Sequence, residues 1–185
     1  MTDTASHMAG WKSCLPAKAG KRQTFRKEPS MQLPCITVYQ TSEGKPYTVE
    51  ESSVSFDGNT LANPQSVYEL AVNLRLTCRA QEAVLAIFCD THLKPHSYTE
   101  IARGSVNSSI VPIREIIQCA LLSHAAANNV ILVHNHPSGD TSPSQEDITV
   151  TKQMQNALSL MNMHLQDHII VSPSSYMSIK EIMTP

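Results

Sequence analysis

The chain has 185 residues, of which 41% are hydrophobic and 16% charged, so it suits one globular domain with a sizeable core. No apolar run approaches the roughly 20 residues that span a bilayer, and the first residues lack the apolar stretch of a secretory signal, so we expect no membrane association. The five cysteines are odd in number, widely spaced and without a C-x-x-C pair, which predicts free thiols in a reducing, cytoplasmic location.

The charge is distributed unevenly along the chain. Residues 1–30 carry a net charge of +4, whereas the remainder carries −6. A negative body is a poor match for a phosphate backbone, which is bound by clustered lysine and arginine. The basic segment could contact nucleic acid, but a solvated terminus is the simpler interpretation. We therefore predict that residues 1–32 form a flexible basic tail.

The next segment, residues 33–62, is predicted to be an N-terminal extension with a hairpin between Leu33 and Asp57, because β-branched runs flank a Glu-Gly turn signal. Asn63 followed by Pro64 is a typical helix start. The apolar run from Ala83 to Cys89 has the length of a buried strand. A second strand over His96–Arg103 would pair with it as a hairpin.

Two further helices and three further strands are predicted from apolar periodicity. Ile113, Ile116, Ile117, Ala120 and Leu121 form one stripe of a helix that ends at Asn128 and Asn129, and Ile148, Thr151, Met154, Leu158 and Met161 form the stripe of a helix that starts at Ser144. Short strands are predicted over residues 130–133, 165–171 and 176–179. This alternation predicts an α/β domain whose mixed β-sheet is flanked by helices.

The chemistry concentrates in the stretch VILVHNHPSGDTSPSQED, from Val130 to Asp147. Residues i and i+2 of a strand point to the same face, so His134 and His136 present two imidazoles side by side. Pro137 and Gly139 then turn the chain and bring Asp147 back. Two nitrogens and one carboxylate are three of the four ligands of a catalytic zinc site, in which water keeps the fourth position.

A purely structural interpretation of the same stretch stays open at this point. Ser144 with Asp147 three residues later is close to a helix capping box, which needs no metal. A lone H-x-H pair is weak evidence, because surface histidines are common. The combination of a strand end, a tight turn and an acid at the next helix start favours a metal site.

The motif H-x-H-P-S-G-D-x-x-P-S-x-x-D, from His134 to Asp147, resembles the JAMM (JAB1/MPN) metalloprotease motif in the form carried by bacterial RadC-like proteins. Further agreement lies in QEAVLAIFCD, RGSVNSS, REIIQCAL and DHIIV, so that the resemblance covers about residues 63–180. It implies a single JAMM/MPN-type domain over residues 63–185.

The resemblance implies a zinc-dependent hydrolase, a metallopeptidase or isopeptidase acting on a peptide or protein substrate. Its metal ligands would be His134, His136 and Asp147. Glu82 matches the family's glutamate, which deprotonates the metal-bound water, and Glu100 is the rival for this role. Ser144 matches the serine that stabilises the oxyanion.

The sequence departs from the family pattern in two places. Pro112-Ile113 replaces the usual histidine-proline, and residues 1–62 hold no glycine-containing helical pair of the DNA-binding type often found ahead of this domain. The second departure weakens any inference of DNA binding. The alternative function is a DNA-repair or mobile-element accessory protein with the same fold and no peptidase activity.

Several other residues have simpler interpretations. His168, inside an apolar strand, is expected to be a hydrogen-bonded core residue and not a fourth ligand. Asp167 could orient a ligand imidazole or serve a surface or turn role. Core positions are predicted for the side chains of Cys89, Cys119, Met154 and Met161.

Overall fold

The structure, a computed structural model, describes residues 30–103, 111–123 and 127–183, with the side chains of residues 102 and 103 left out. The strands are β1 Met31–Gln40, β2 Pro46–Phe56, β3 Ala83–Cys89, β4 Pro95–Arg103, β5 Asn129–Asn135, β6 His164–Val171 and β7 Tyr176–Ser178. The helices are α1 Pro64–Asn73, a 3-10 turn Leu76–Cys78, α2 Ile113–Ser123, α3 Gln145–Leu160 and α4 Ile179–Met183.

The described strands form one mixed seven-stranded sheet in the order β2-β1-β4-β3-β5-β6-β7. β5 and β6 are parallel, β1 meets β4 through a single parallel pair, and the other neighbours are antiparallel. The predicted mixed sheet flanked by helices is therefore confirmed. The predicted tail falls largely on residues 1–29, which lie outside the described residues, and β1 already begins at Met31.

Each face of the sheet is covered by its own apolar core. Alternate residues of the central strands pack under α1 on one face and under α2 and α3 on the other, as strand geometry requires. The α1 face includes Val67, Leu70, Leu85, Ile87, Ile131, Val133 and Ile169. The opposite face includes Ala86, Phe88, Ile116, Val130, Leu132, Met154 and Leu158.

Three kinds of sequence prediction are confirmed here: a helix start, a turn and two buried cysteines. Asn63 caps α1, its Oδ1 accepting from Ser66 N at 2.9 Å, with Pro64 in the first turn. Gly44, at a φ of 79°, closes the β1–β2 hairpin where a left-handed residue is needed. Cys89 and Cys119 are buried as predicted.

The structure corrects three boundaries. The described part of α2 ends at Ser123, and Asn129 is the first residue of β5 instead of a helix end. Ile179 begins α4 and does not continue β7. The predicted burial of Met161 is wrong, because α3 ends at Leu160 and the Met161 side chain is 46% exposed, while Met163 is buried in its place.

Candidate metal centre

The two histidines of the motif lie at the carboxyl end of β5, on the face covered by α3. His134 is in the strand, and His136 continues its line, because its N–H donates to Val171 O of β6 at 3.0 Å. The Nε2 atoms of the two imidazoles are 2.9 Å apart. The alternation of side chains along a strand therefore brings both rings to one point, as the sequence predicts.

The turn after β5 holds the second imidazole. Gly139, at a φ of 87°, donates its N–H to His136 O, and the carbonyl of Asp140 lies 2.7 Å from His136 Nδ1. Since a carbonyl only accepts, His136 Nδ1 carries the proton and its Nε2 is bare when the ring is neutral. The pKa of Asp140 itself is lowered, because its carboxylate accepts hydrogen bonds from Ser142.

Asp147 reaches the histidines from the first turn of α3. Ser144 is the helix N-cap and forms the predicted capping box with Asp147: Asp147 N donates to Ser144 Oγ at 3.0 Å, and Ser144 N donates to Asp147 Oδ2 at 2.8 Å. The Ser144 hydroxyl also donates to Oδ2 at 2.6 Å. The capping interpretation and the ligand interpretation are therefore compatible, because one carboxylate serves both.

The three side chains form a compact set of acceptor atoms. One ligand atom from each of His134, His136 and Asp147 lies within 4.8 Å of the others. Asp147 Oδ1 lies 3.2 Å from His134 Nε2, Asp147 Oδ2 lies 3.7 Å from His136 Nε2, and the two Nε2 atoms are 2.9 Å apart. A tetrahedral site with metal–ligand bonds of about 2.0–2.1 Å has edges of about 3.3–3.4 Å, so small movements of these side chains would be enough to hold a metal.

The electrostatics of the group also fit a cation. His134 is buried, and this burial lowers its pKa to about 4, against a smaller opposing effect of Asp147. A neutral imidazole keeps a lone pair for a metal. Bare nitrogens and a carboxylate this close repel one another, and a cation bound between them would relieve that repulsion. The His134–His136–Asp147 group could therefore hold a metal ion.

Glu82 faces the same pocket as the three acceptors. Glu82 directly precedes β3. In the antiparallel pairing of β3 with β5, Val84 lies opposite His134, and continuing this register by two residues brings Glu82 opposite His136. The pocket, of about 340 Å³, is lined by Glu82, His134, His136, Ser138, Ser144, Glu146 and Asp147. Glu100 instead lies on β4 and pairs with Arg79, its Oε2 2.9 Å from Nη1.

Asn135, which no sequence motif singles out, ties Glu82 to the histidine strand. Its fully buried side chain accepts from Ala83 N at 2.9 Å and lies 3.2 Å from the carbonyls of Arg79 and Gln81, to which Nδ2 donates. These partners flank Glu82 on both sides. The signal for Asn135 was a polar residue in a buried strand, pointing to the face opposite the histidines.

The two remaining polar candidates have separate roles. His168 is a buried, hydrogen-bonded core residue as predicted, and its Nε2 lies 2.8 Å from His134 Nδ1. Asp167 does not orient a ligand imidazole. Its carboxylate accepts from the Ser178 hydroxyl at 2.8 Å and from His168 N at 2.7 Å, and thereby connects β6 to β7.

The metal-free protein should lose stability as the pH falls from 7 to 5.5. Burial lowers the pKa of His134 to about 4 and that of His168 well below 6.5. In this window the unfolded chain therefore binds more protons, and each histidine removes up to about 1.4 kcal/mol of stability per pH unit. Asp167 acts with the opposite sign, since burial raises its pKa.

Urea unfolding of chelator-treated protein at several pH values measures this slope. His164→Gln, at an exposed histidine of β6, is the matched control and should leave the slope unchanged. An unfolding free energy that stays level between pH 7 and 5.5 would contradict the neutral state of the buried pair.

The described domain matches one family of known proteins. The mixed sheet carries a His–His–Asp group between the end of β5 and the first turn of α3, and the family model of the RadC-like JAB domain, which matches residues 61–183, makes this a JAB-type domain. The chain belongs to the RadC-like JAB domain family. No helix among the described residues is long and apolar enough to cross a membrane.

The relatives come from bacteria and archaea. The chain is 37% identical over 131 residues to a UPF0758 protein of Methanosarcina acetivorans, a match that covers 71% of this chain and 56% of the relative. It is 40% identical over 121 residues to a UPF0758 protein of Shouchella clausii, covering 65% of this chain and 51% of the relative. The chain thus spans about half the length of the curated relatives it matches.

Proposed function

We propose that the protein is a zinc-dependent hydrolase that cleaves a peptide or isopeptide bond. The observation that carries this proposal is the convergence of three acceptor atoms, His134 Nε2, His136 Nε2 and a carboxylate oxygen of Asp147, in a pocket that Glu82 also lines. Three protein ligands of this type, with one position left for water or substrate, are the pattern of catalytic zinc sites.

Zinc is the proposed metal because its sites favour imidazole nitrogen with a single carboxylate, whereas magnesium and calcium prefer sets of oxygen ligands. When bound, the ion would act as a Lewis acid toward a carbonyl and would lower the pKa of water. His134, His136 and Asp147 would hold it, and the two histidines would supply neutral nitrogens.

Glu82 is the proposed general base. It would accept the proton of the attacking water and pass this proton to the leaving amine nitrogen, so that the amide bond breaks without a free amide anion. Its place beside the acceptor group supports this role, and the ion pair of Glu100 with Arg79 counts against the rival. Asn135 would hold the Glu82 backbone during this transfer.

Ser144 is the proposed donor to the oxyanion. Its hydroxyl now donates to Asp147 Oδ2, so it must rotate in order to reach a substrate oxygen. The backbone N–H of Ser144 also donates to Asp147 Oδ2, at 2.8 Å, and would keep this carboxylate hydrogen-bonded after the hydroxyl rotates. One such donor typically contributes 10²- to 10³-fold in rate, on the order of 3–4 kcal/mol.

The surroundings of the site favour an extended, uncharged or cationic substrate segment. A second pocket, of about 480 Å³, shares Glu82 with the first and is lined by residues 79–83, among which Arg79 is paired with Glu100. The described residues that line the metal pocket include three carboxylates, Glu82, Glu146 and Asp147, and no lysine or arginine. A phosphate backbone is disfavoured there, and nucleic-acid contact stays a prediction for residues 1–30.

Metal removal and restoration test the proposal. The purified protein is expected to contain zinc by mass spectrometry and to cleave members of a quenched-fluorescence peptide library or of a panel of Nε-aminoacyl-lysine isopeptides. A chelator should abolish cleavage, and zinc should restore it. The variant His134→Ala/His136→Ala should bind no zinc and show no turnover, while a zinc-loaded wild type inactive on both panels would contradict the proposal.

A further inference from the structure

Two buried polar side chains, Thr151 and His168, lie behind the ligands and link Asp147 to His134. Thr151 of α3, His168 of β6 and His134 of β5 are each almost fully buried. The Thr151 hydroxyl donates to Asp147 O at 2.6 Å and lies 2.7 Å from His168 Nδ1, and His168 Nε2 lies 2.8 Å from His134 Nδ1. This hydrogen-bonded chain therefore starts at the backbone of one ligand and ends at the ring of another.

Only one arrangement of protons satisfies all of these contacts with neutral rings. A hydroxyl has a single proton, and a carbonyl only accepts, so the proton of Thr151 points to Asp147 O. His168 must then donate from Nδ1 to the Thr151 oxygen, which leaves His168 Nε2 bare. His134 must consequently donate from Nδ1, and its Nε2 is left with a free lone pair facing Asp147 and His136.

We propose that Thr151 and His168 are positioning residues that fix the tautomer of His134 and so make its Nε2 a metal ligand. This inference rests on the proposed metal site, but it concerns the tautomer of His134 in the metal-free protein. The second histidine needs no such relay, since the carbonyl of Asp140 fixes the His136 tautomer directly. Partners of this kind, which orient a ligand imidazole from behind, typically change metal affinity 10- to 100-fold.

One competing arrangement of protons would leave His134 with its proton on Nε2. If Thr151 donated to His168 instead, His168 Nε2 would carry its proton toward His134 Nδ1. The proton of His134 would then lie on Nε2, where it could point to Asp147 Oδ1 at 3.2 Å. A metal would have to displace that proton, and the contact of Thr151 with Asp147 O would lose its donor.

Nitrogen NMR of the metal-free wild type separates the two arrangements without any substitution in the protein observed. Protonated and bare ring nitrogens have distinct ¹⁵N shifts, and long-range ¹H–¹⁵N correlations on ¹⁵N-histidine protein identify them, with His134 assigned by the signal missing in His134→Gln. We expect a proton on Nδ1 of both His134 and His168 near pH 7. A proton on Nε2 of His134 would overturn the proposal.

Affinity measurements supply the second readout. Thr151→Val removes the hydroxyl at nearly constant volume and should weaken zinc binding, in competition with a chromophoric chelator, by about 10-fold or more. Thr151→Ser should bind zinc as the wild type does. The matched control is Thr149→Val, because the exposed Thr149 makes the same kind of hydroxyl bond to the carbonyl four residues earlier, at 2.8 Å, and faces away from the histidines.

Equal zinc affinity of Thr151→Val and wild type would refute the positioning role. It would also be refuted if Thr149→Val lost as much zinc affinity as Thr151→Val, because the loss would then be a general effect on the helix. Failure of the hydrolase proposal looks different. A protein that binds zinc and keeps the expected tautomers, yet cleaves no peptide, would disprove the activity and leave this inference standing.

Discussion

Glu82→Gln is expected to lower the rate of peptide or isopeptide cleavage by about 10²- to 10⁴-fold, the usual contribution of a general base. Glutamine has nearly the same shape as glutamate but cannot accept a proton at neutral pH. Zinc content should remain at the wild-type level, because the ligand group consists of His134, His136 and Asp147. The measurement is kcat/KM on the best substrate of the panel, together with metal analysis of the same preparation.

Glu100→Gln is the matched control for this variant. It removes the same charge from the neighbouring strand, where Glu100 pairs with Arg79, and should leave turnover close to that of the wild type. Normal turnover in Glu82→Gln with a large loss in Glu100→Gln would transfer the base to Glu100. Loss of zinc in Glu82→Gln would instead show that Glu82 takes part in metal binding.

Glu82 and Glu100 also show which part of the site cannot be predicted from the sequence. The side on which His134 and His136 lie follows from strand alternation, and the position of Asp147 follows from Ser144 as a helix cap, so both are local properties of one stretch. The choice between Glu82 and Glu100 depends on the β3–β5 register, which is a contact between residues about 50 apart. Periodicity along one strand contains no such information.

The polar residues inside the core were harder to predict for a related reason. Thr151 lies in the apolar stripe of α3, and hydrophobic spacing alone predicts only that it is buried in the core. Its partner His168 belongs to β6, so the contact between them cannot be predicted from α3. Likewise, the role of Asn135 depends on its contact with Ala83 N of β3, which lies 52 residues away in the sequence. Burial can be predicted at such positions, but the partner of a buried polar group is a tertiary property.

The end of α3 shows a case in which a local sequence signal was present but was outweighed by the apolar pattern. Helical spacing continues through Met161, and nothing in the periodicity stops the stripe there. The chain instead leaves the helix after Leu160, with Asn162 in the left-handed region at a φ of 54°, and buries Met163. Asparagine tolerates this conformation better than most residues, so the signal was present but weaker than the apolar pattern.

Asn135→Asp is expected to reduce turnover about 10²-fold while leaving zinc binding intact. Aspartate keeps an acceptor for Ala83 N but has at most one O–H, so at least one of the two bonds to the carbonyls of Arg79 and Gln81 is lost. Each bond lost from these part-buried carbonyls costs up to about 1–3 kcal/mol. The backbone on both sides of Glu82 would shift, and a displacement of about 1 Å is enough for a loss of this size.

Asn129→Asp provides the matched control, because Asn129 lies at the other end of the same strand. Its Nδ2 also donates to a carbonyl across the sheet, that of Asp90, at 2.8 Å, and its side chain is buried as well. Both variants should lower the unfolding midpoint in urea, but only Asn135→Asp should lower kcat, because only its partners flank Glu82. Equal losses of kcat in the two variants would show that Asn135→Asp acts only through general destabilisation. Loss of zinc in Asn135→Asp would show that Asn135 positions the metal ligands and not the general base.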